Sequence, residues 1–105
     1  LRAKLVIAGA NIPITDEAER MLHERGVVCV PDFIANAGGV ICAAMEWRGA
    51  TQSAAFEAIA ERIRANTAAV LESASRKHVL PRQAAVELAR ERVARAMATR
   101  RWSIF

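Results

Sequence analysis

The sequence predicts an α/β domain in which two parallel strands, joined by a helix, are followed by three further helices. Two short β-branched apolar runs, residues 4–10 (KLVIAGA) and 27–30 (VVCV), are typical of strands that are buried on both faces. The segment between them has the apolar spacing of a helix of about three turns. Strand, helix and strand in this order predict a βαβ unit with a right-handed crossover.

The intervening helix has recognisable start and stop signals. Thr15 is a suitable N-cap, two acidic residues follow in the first turn, and Gly26 lies just beyond the predicted end, after Arg25. The expected apolar face consists of Ala18, Met21 and Leu22.

Three helices are predicted downstream. The first begins near Ala37, the second covers residues 53–77, and the third begins at Pro81, a residue that suits a first helical turn. The predicted apolar faces are Phe56, Ile59, Ala60, Ile63, Thr67, Val70, Leu71 and Ala74 on the second helix, and Ala85, Val86, Ala89, Val93, Ala96 and Met97 on the third.

Two continuous apolar strands make only part of a parallel sheet, which normally has more strands beside them. The chain, which begins at Leu1 without a methionine, is therefore expected to be a piece of a longer protein. We interpret residues 1–50 as the second half of a doubly wound α/β domain and residues 51–105 as its C-terminal helices. Alone, this piece is expected to expose sheet edges and to self-associate.

The net charge of +4 and the sequence pI near 10.0 come mainly from arginines in the last third of the chain. Glu87 and Glu91 are interleaved among them, which favours a solvated helix face over a nucleic-acid-binding stripe. Nucleic-acid binding remains an alternative from another class. The arginines concerned are Arg90, Arg92, Arg95, Arg100 and Arg101.

Cys29 and Cys42 lie inside apolar runs without metal-ligand spacing, so both are predicted to be small buried side chains in a reducing compartment, the cytoplasm. His23 and His78 have no partner at metal-ligand spacing and are expected to be exposed or capping. No metal site is predicted. The sequence shows no membrane-spanning run and no signal-peptide pattern.

Each predicted strand is followed by a loop with an asparagine, Asn11 in GANIP and Asn36 in IANAGG. Ligands of open α/β sheets bind beyond the carboxyl ends of the strands, and a carboxamide can pair with another carboxamide or with ribose hydroxyls. The alternative is that Asn11 shapes a turn and Asn36 caps the helix near Ala37. The paired glycines Gly38 and Gly39 favour the close approach of backbone or ligand.

Residues 9–47, GANIPITDEAERMLHERGVVCVPDFIANAGGVICAAMEW, resemble the cofactor domain of the glutamate/leucine/phenylalanine/valine dehydrogenase family. The family pattern combines a Gly-Ala-Asn-x-Pro-x-Thr segment, a helix, and a Pro-Asp-x-x-x-Asn-Ala-Gly-Gly-Val segment, in this order and at this spacing. The resemblance implies a partial Rossmann-like domain that is helix-rich overall, and NAD or NADP as the cofactor.

The resemblance also implies roles for individual residues. Ala10, Asn11 and Asn36 would contact the nicotinamide-ribose end of the cofactor, and Val40 would touch the substrate side chain. Ala43 takes the place of a serine that binds the substrate's side-chain carboxylate in glutamate dehydrogenases. The Glu46–Trp47 ending is of the glutamate type, whereas Ile12 stands where many members have glycine.

The sequence has no GxGxxG, and its only lysines, Lys4 and Lys77, are not in a Gly-rich setting like that of the family's catalytic lysine. The family's catalytic aspartate segment is also absent, so no catalytic residue is expected in this chain and the 105 residues alone are expected to be inactive. The full enzyme implied is a homo-oligomeric (hexameric) NAD(P)-dependent glutamate dehydrogenase with a small amino acid as substrate. The alternatives are a leucine-, valine- or phenylalanine-type enzyme and a non-catalytic regulatory or assembly module.

Overall fold

The computed structural model describes residues 2–99, and its elements follow the predicted order. A four-residue helix between the second strand and the next long helix was not predicted. Leu1, Arg100, Arg101 and residues 102–105 lie outside the described residues. The elements are β1 (Leu5–Ile7), α1 (Asp16–Glu24), β2 (Val28–Val30), α2 (Asp32–Ala35), α3 (Gly38–Trp47), α4 (Gln52–Lys77) and α5 (Pro81–Thr99).

The two strands pair in parallel, as predicted, with Ile7 opposite Val30 at their carboxyl ends. The prediction that both strands are buried on both faces is wrong within the described residues. Ile7 is 63% exposed, whereas Cys29 on β2 is 3% exposed. The sheet contains only β1 and β2 in the region 2–99, so each strand has one unpaired edge there, and α1 and α5 both pack on β2.

The start and stop of α1 are as predicted. The Oγ1 of Thr15 accepts a hydrogen bond from the Ala18 N–H at 3.2 Å, and Gly26 follows the helix with a φ of +77°. The predicted apolar face is partly wrong, because Met21 is exposed and Glu19 is buried in its place. Glu19 tolerates this position because its carboxylate is paired with Arg82.

The α4 and α5 helices pack against each other and carry the main apolar cluster. Thr51 caps the start of α4 by accepting from the Ala54 N–H at 3.2 Å, and α5 begins at Pro81 as predicted. The α4 helix also packs on α2 and α3, so the C-terminal helices are continuous with the βαβ unit. The cluster consists of Val70, Ala74, Ala84 and Ala85, with Ile34, Val79 and Leu88 packed against it.

Several residues of the predicted apolar faces are exposed. On α5 the buried positions all lie near its N-terminus, and Val93 and Met97 on its second half are exposed. Val93 and Met97 therefore lack cover from residues 2–99, although their spacing was typical of a buried face. Phe56 on α4 is exposed as well. The other predicted face residues found exposed are Ala60, Ala89 and Ala96.

The cysteine and histidine predictions are mostly confirmed. Cys29 is buried, whereas Cys42 is only partly buried, with its Sγ 3.8 Å from Oε1 of Glu46 on the open side of α3. His23 is exposed, and His78 ends α4 in a left-handed conformation with a φ of 55°. Within the described range, no three His, Cys, Asp or Glu side chains come together to hold a metal ion, and no helix is long and apolar enough to cross a membrane.

Candidate functional site

The two loops that carry the predicted asparagines leave the same edge of the sheet. Because β1 and β2 run parallel and end side by side, the chain passes from both strands into loops on their carboxyl side. Ala10 and Asn11 lie in the loop after β1, and Asn36 directly follows α2. All three residues are exposed. Both asparagines are therefore exposed on the carboxyl side of the strands, and their contact with a ligand stays a prediction.

The structure rejects the alternative in which Asn36 is the N-cap of the next helix. The N-cap of α3 is Ala37, which is already in a helical conformation, and α3 has no side-chain cap hydrogen bond. Asn36 instead ends α2, where its backbone N–H donates to the carbonyl of Asp32 at 2.7 Å. Its carboxamide makes no cap hydrogen bond to α2 or α3 within residues 2–99.

The paired glycines at the start of α3 are not required by packing within the described residues. A Cβ on Gly38 would meet only Cγ2 of Ile59, at an ordinary contact distance of 3.5 Å, and a Cβ on Gly39 would meet nothing within 4 Å. Two glycines at the start of a helix lower its helix propensity. The close approach of a ligand therefore stays our prediction for why they stand here.

The side chain of Asp32, which follows Pro31 after the end of β2, joins the two loops directly. Its Oδ2 accepts the backbone N–H of Ile12 at 3.0 Å, across a separation of 20 residues in sequence. Asp32 is only 4% exposed, and Ile12 is the neighbour of Asn11. The carboxylate thus ties the Asn11 loop to the segment that leads to Asn36.

Asp32 belongs to a buried ion network that sequence reasoning missed. Arg82, in the first turn of α5, donates from Nη2 to Oδ1 of Asp32 at 2.8 Å and from Nε to Oε2 of Glu19 at 2.8 Å. The guanidinium also lies 5.8 Å from the ring centroid of Phe33, within the range of a cation–π contact. One arginine of α5 therefore links α1 and α2.

The network shifts the pKa values of its members in the directions expected for ion pairs. The pKa of the Asp32 carboxyl lies below its ordinary value, first because of the hydrogen bond from the Ile12 N–H and then because of Arg82. The pKa of Arg82 is raised, chiefly by its hydrogen bond to Glu19. Burial, aided by the charge of Glu19, raises the pKa of the Cys29 thiol. Asp32 and Arg82 are therefore both charged at neutral pH.

Ile12 adopts a left-handed backbone with a φ of 49°, a conformation that L-residues with a branched Cβ rarely adopt. Glycine at this position would adopt the same conformation without a steric cost. The side chain is largely exposed, so little burial offsets the strain.

We expect Ile12→Gly to raise the free energy of unfolding by roughly 1 kcal/mol. The relief of about 1–2 kcal/mol of left-handed strain is partly offset by about 0.5–1 kcal/mol from the greater freedom of glycine in the unfolded chain. Urea denaturation of the two proteins measures the difference. Ile12→Ala keeps a Cβ and serves as the control, and a glycine variant less stable than the alanine variant would contradict this account.

The predicted substrate residues lie on the exposed side of α3. Val40 and Ala43, three positions apart, share one helix face, and Val40 is 77% exposed. Trp47 extends the same face, while Ile41 is buried and fixes the opposite side. Asn36 lies two residues before the start of α3, so the predicted cofactor and substrate residues are close in sequence, and their roles stay predictions.

Two charged residues of the ion network stand at positions where the sequence predicts apolar surroundings. Glu19 lies three residues before Leu22 on the predicted inner face of α1, and Asp32 lies two residues beyond the end of an apolar strand, after Pro31. Charged residues at such positions require partners. Nothing local identified Arg82 as that partner, since it lies 63 residues from Glu19 and 50 from Asp32.

Residues 1–101 match the profile of the Glutamate/Leucine/Phenylalanine/Valine dehydrogenase family. The chain belongs to this family. It is 42% identical over 111 residues to the NADP(+)-dependent glutamate dehydrogenase of Pyrobaculum calidifontis, a match that covers 97% of this chain and 26% of that protein. It is 33% identical over 109 residues to the NAD-specific glutamate dehydrogenase of Staphylococcus aureus, covering 98% of this chain and 26% of that protein. The resemblance found in residues 9–47 is confirmed.

Solved amino-acid dehydrogenases share the fold of this family member. The glutamate dehydrogenase from Peptoniphilus asaccharolyticus gives a TM-score of 0.80 at 30% identity, over 97% of this chain and 27% of that chain. The L-tryptophan dehydrogenase from Nostoc punctiforme gives a TM-score of 0.82 at 29% identity, over 93% of this chain and 30% of that chain. The partial Rossmann-like α/β fold is confirmed, and the chain spans 26% of the length of the two curated relatives named above.

Proposed function

We propose that this chain forms the nicotinamide-facing part of the cofactor domain of an NAD(P)-dependent amino-acid dehydrogenase that acts on L-glutamate. The observation that carries the proposal is the pair of exposed carboxamides, Asn11 and Asn36, on loops that leave one edge of a parallel sheet. The names of the relatives support the activity, and both NAD- and NADP-dependent enzymes are among them.

The residues at this edge suit the nicotinamide end of such a cofactor. A carboxamide offers one acceptor and two donor hydrogens, which match the carboxamide of nicotinamide and the ribose hydroxyls. The open side of Gly39 leaves room for a ligand beside the start of α3. We assign Asn11, Asn36 and Ala10 to the cofactor, and Val40 and Ala43 to the substrate side chain.

The cofactor would supply the hydride acceptor for the reversible oxidative deamination of an amino acid to a 2-oxo acid and ammonium. In this reaction Asn11 and Asn36 hold the ring in one orientation, and Val40 limits the position of the substrate. Their contribution is to orientation rather than to proton transfer. We propose that the lysine and aspartate that transfer protons lie outside this chain, which has no activity alone.

The substrate assignment depends on the helix that carries Ala43. The glutamate dehydrogenases among the relatives support glutamate, whereas the L-tryptophan dehydrogenase shows that the same fold accepts an apolar side chain. Ala43 offers no hydroxyl to a side-chain carboxylate, which favours the apolar alternative at this one position. Glu46 and Trp47 favour glutamate, and we retain glutamate on that basis.

Residues 1–50 and 51–105 are proposed to be parts of one cofactor domain, which the packing of α5 on β2 and of α4 on α3 supports. The open apolar edge of β1 and the exposed half of α5 support association with the rest of a homo-oligomeric enzyme, for which we propose a hexamer. We also propose that the enzyme works in the cytoplasm, where its two free cysteines stay reduced.

The proposal is tested with the full-length protein and its Asn36→Ala variant. We expect wild-type protein to oxidise L-glutamate with NAD or NADP, and the variant to show about a three- to tenfold higher KM for the cofactor, the usual effect of one lost hydrogen bond. Steady-state kinetics with the cofactor concentration varied measures the change. Because Asn36 caps no helix with its side chain, thermal stability should stay close to that of the wild type.

Asn66→Ala is the matched control, because the Oδ1 of Asn66 accepts from Arg92 at 2.9 Å between α4 and α5, away from the loops. It should lower stability and leave the cofactor KM unchanged. An Asn36→Ala enzyme with unaltered cofactor kinetics would remove Asn36 from the cofactor site.

A further inference from the structure

We infer that Asp32 and Arg82 are positioning residues for the cofactor edge: Arg82 fixes the Asp32 carboxylate, and Asp32 fixes the backbone that presents Asn11 and Asn36. The identity of the ligand in this inference rests on the proposed function. The part of the inference that concerns how the loops are held rests only on the hydrogen bonds of Asp32 and Arg82.

Asp32 is placed to act on both loops at once. One carboxylate oxygen holds the N–H of Ile12, next to Asn11, and the other holds Arg82. The backbone carbonyl of the same residue accepts the N–H of Asn36 at 2.7 Å. A displacement of Asp32 therefore changes the distance between the two asparagine loops. Among residues 2–99, no other residue has a side chain that bonds to one of these loops and a backbone that bonds to the other.

The role requires an arginine. Arg82 donates from two different nitrogens, Nε and Nη2, to two carboxylates that belong to separate elements. A lysine has a single charged nitrogen and lacks the planar fork, so it cannot hold both carboxylates in this geometry. Phe33 beside the guanidinium further restricts its position.

The substrate face of α3 has a separate support. The α3 helix packs on α4, where Gly38 lies against Ile59, and Ile41 is buried on its inner side. Loss of the Asp32–Arg82 pair should therefore disturb the cofactor loops more than Val40 and Ala43. This difference separates a positioning role from a general loss of stability.

The kinetic test uses full-length Arg82→Lys and Asp32→Asn, with Arg92→Lys as the control on the same helix. We expect the KM for the cofactor to rise about tenfold or more in the first two variants, and kcat/KM for the cofactor to fall about ten- to a hundredfold. The KM for the amino acid should stay near that of the wild type. Arg92→Lys, which touches only the α4–α5 contact, should leave both constants unchanged. Cofactor constants for Arg82→Lys equal to those of Arg92→Lys would overturn the inference.

Hydrogen exchange by mass spectrometry tests the loop positions without any activity. In Asp32→Asn, which keeps only one acceptor oxygen, amide exchange in residues 8–15 should accelerate about tenfold while exchange in α4 stays unchanged. Unchanged exchange in residues 8–15 would overturn the inference whatever the kinetics. If wild-type protein oxidises no amino acid with either nicotinamide cofactor, the proposed function fails, and the exchange result still decides whether Asp32 holds the loops.

Discussion

Replacement of Arg82 by methionine is expected to destabilise the protein by about 3 kcal/mol. The change leaves the Glu19 and Asp32 side chains, 6% and 5% exposed, without their positive partner. Removal of one partner from a buried ion pair typically costs about 3–5 kcal/mol, because the remaining charge stays desolvated. The lower end applies here, since the Arg82 side chain keeps 30% of its surface in solvent and water can reach the vacated position.

Urea denaturation of wild type, Arg82→Met and Arg92→Met measures this effect. Arg92 lies on the same helix and makes one exposed hydrogen bond to Asn66, so its loss should cost no more than about 1 kcal/mol. The triple variant Glu19→Gln/Asp32→Asn/Arg82→Met removes all three charges and should recover part of the loss. Equal destabilisation by the two arginine variants would show that the network contributes no more than a surface contact.

The same network makes stability depend on pH in a defined direction. The folded pKa of Asp32 lies below its ordinary value of 3.8, so its stabilisation is fully present above about pH 4. It is lost as the pH falls through the lower pKa of the folded state, where the carboxylate takes up a proton. The stability difference between wild type and Asp32→Asn should therefore shrink below about pH 4 and stay constant between about pH 5 and 8.

The parts of the fold that follow local rules could be predicted from the sequence. Each helix boundary that was predicted depends only on residues within one turn of it. These boundaries are the Thr15 cap, the end of α1 before Gly26 and the start of α5 at Pro81. The parallel pairing of β1 and β2 followed from the helix between them. The helix α2 was missed because four residues are too few to show a helical period.

The errors concern surfaces whose partners are not set by local sequence. An apolar period on α1 or α5 indicates a face that can be buried, but Met21, Val93 and Met97 find no cover among residues 2–99. Glu19 is an error of the opposite kind, because this charged residue was not expected to be buried. Its pairing with Arg82 of α5 allows it to be buried. Long-range ion pairs of this kind have no spacing rule, so only the folded chain reveals them.

The candidate site shows the same division. Asn11 and Asn36 were predicted from their positions after two strands, and the structure puts their loops at one edge. The support of that edge was not predicted, because it runs through Asp32 to α5. The structure also changes the interpretation of Asn36, because its side chain makes no cap hydrogen bond to α2 or α3. A helix cap therefore no longer competes with a ligand-binding role at this position.

Ala43→Ser is expected to shift the full-length enzyme's preference toward glutamate by about ten- to a hundredfold relative to an apolar amino acid. A hydroxyl at this position would donate to the side-chain carboxylate of the substrate, and a hydrogen bond to a charged group contributes about 1.5–3 kcal/mol. Ala43 is exposed on the same α3 face as Val40, so the added hydroxyl meets no buried surface. Its effect on folding should stay within about 0.5 kcal/mol, the difference in helix propensity.

The ratio of kcat/KM for L-glutamate to that for L-leucine measures the shift, because loss of stability or of active enzyme cancels in a ratio. Ala68→Ser, the same change at an exposed position of α4, should leave the ratio unaltered. A shift confined to Ala43→Ser places this residue beside the substrate carboxylate and makes its missing hydroxyl a determinant of specificity. An unchanged ratio would show that the α3 face near Ala43 does not contact the substrate side chain, and the choice of substrate would then depend on residues beyond this chain.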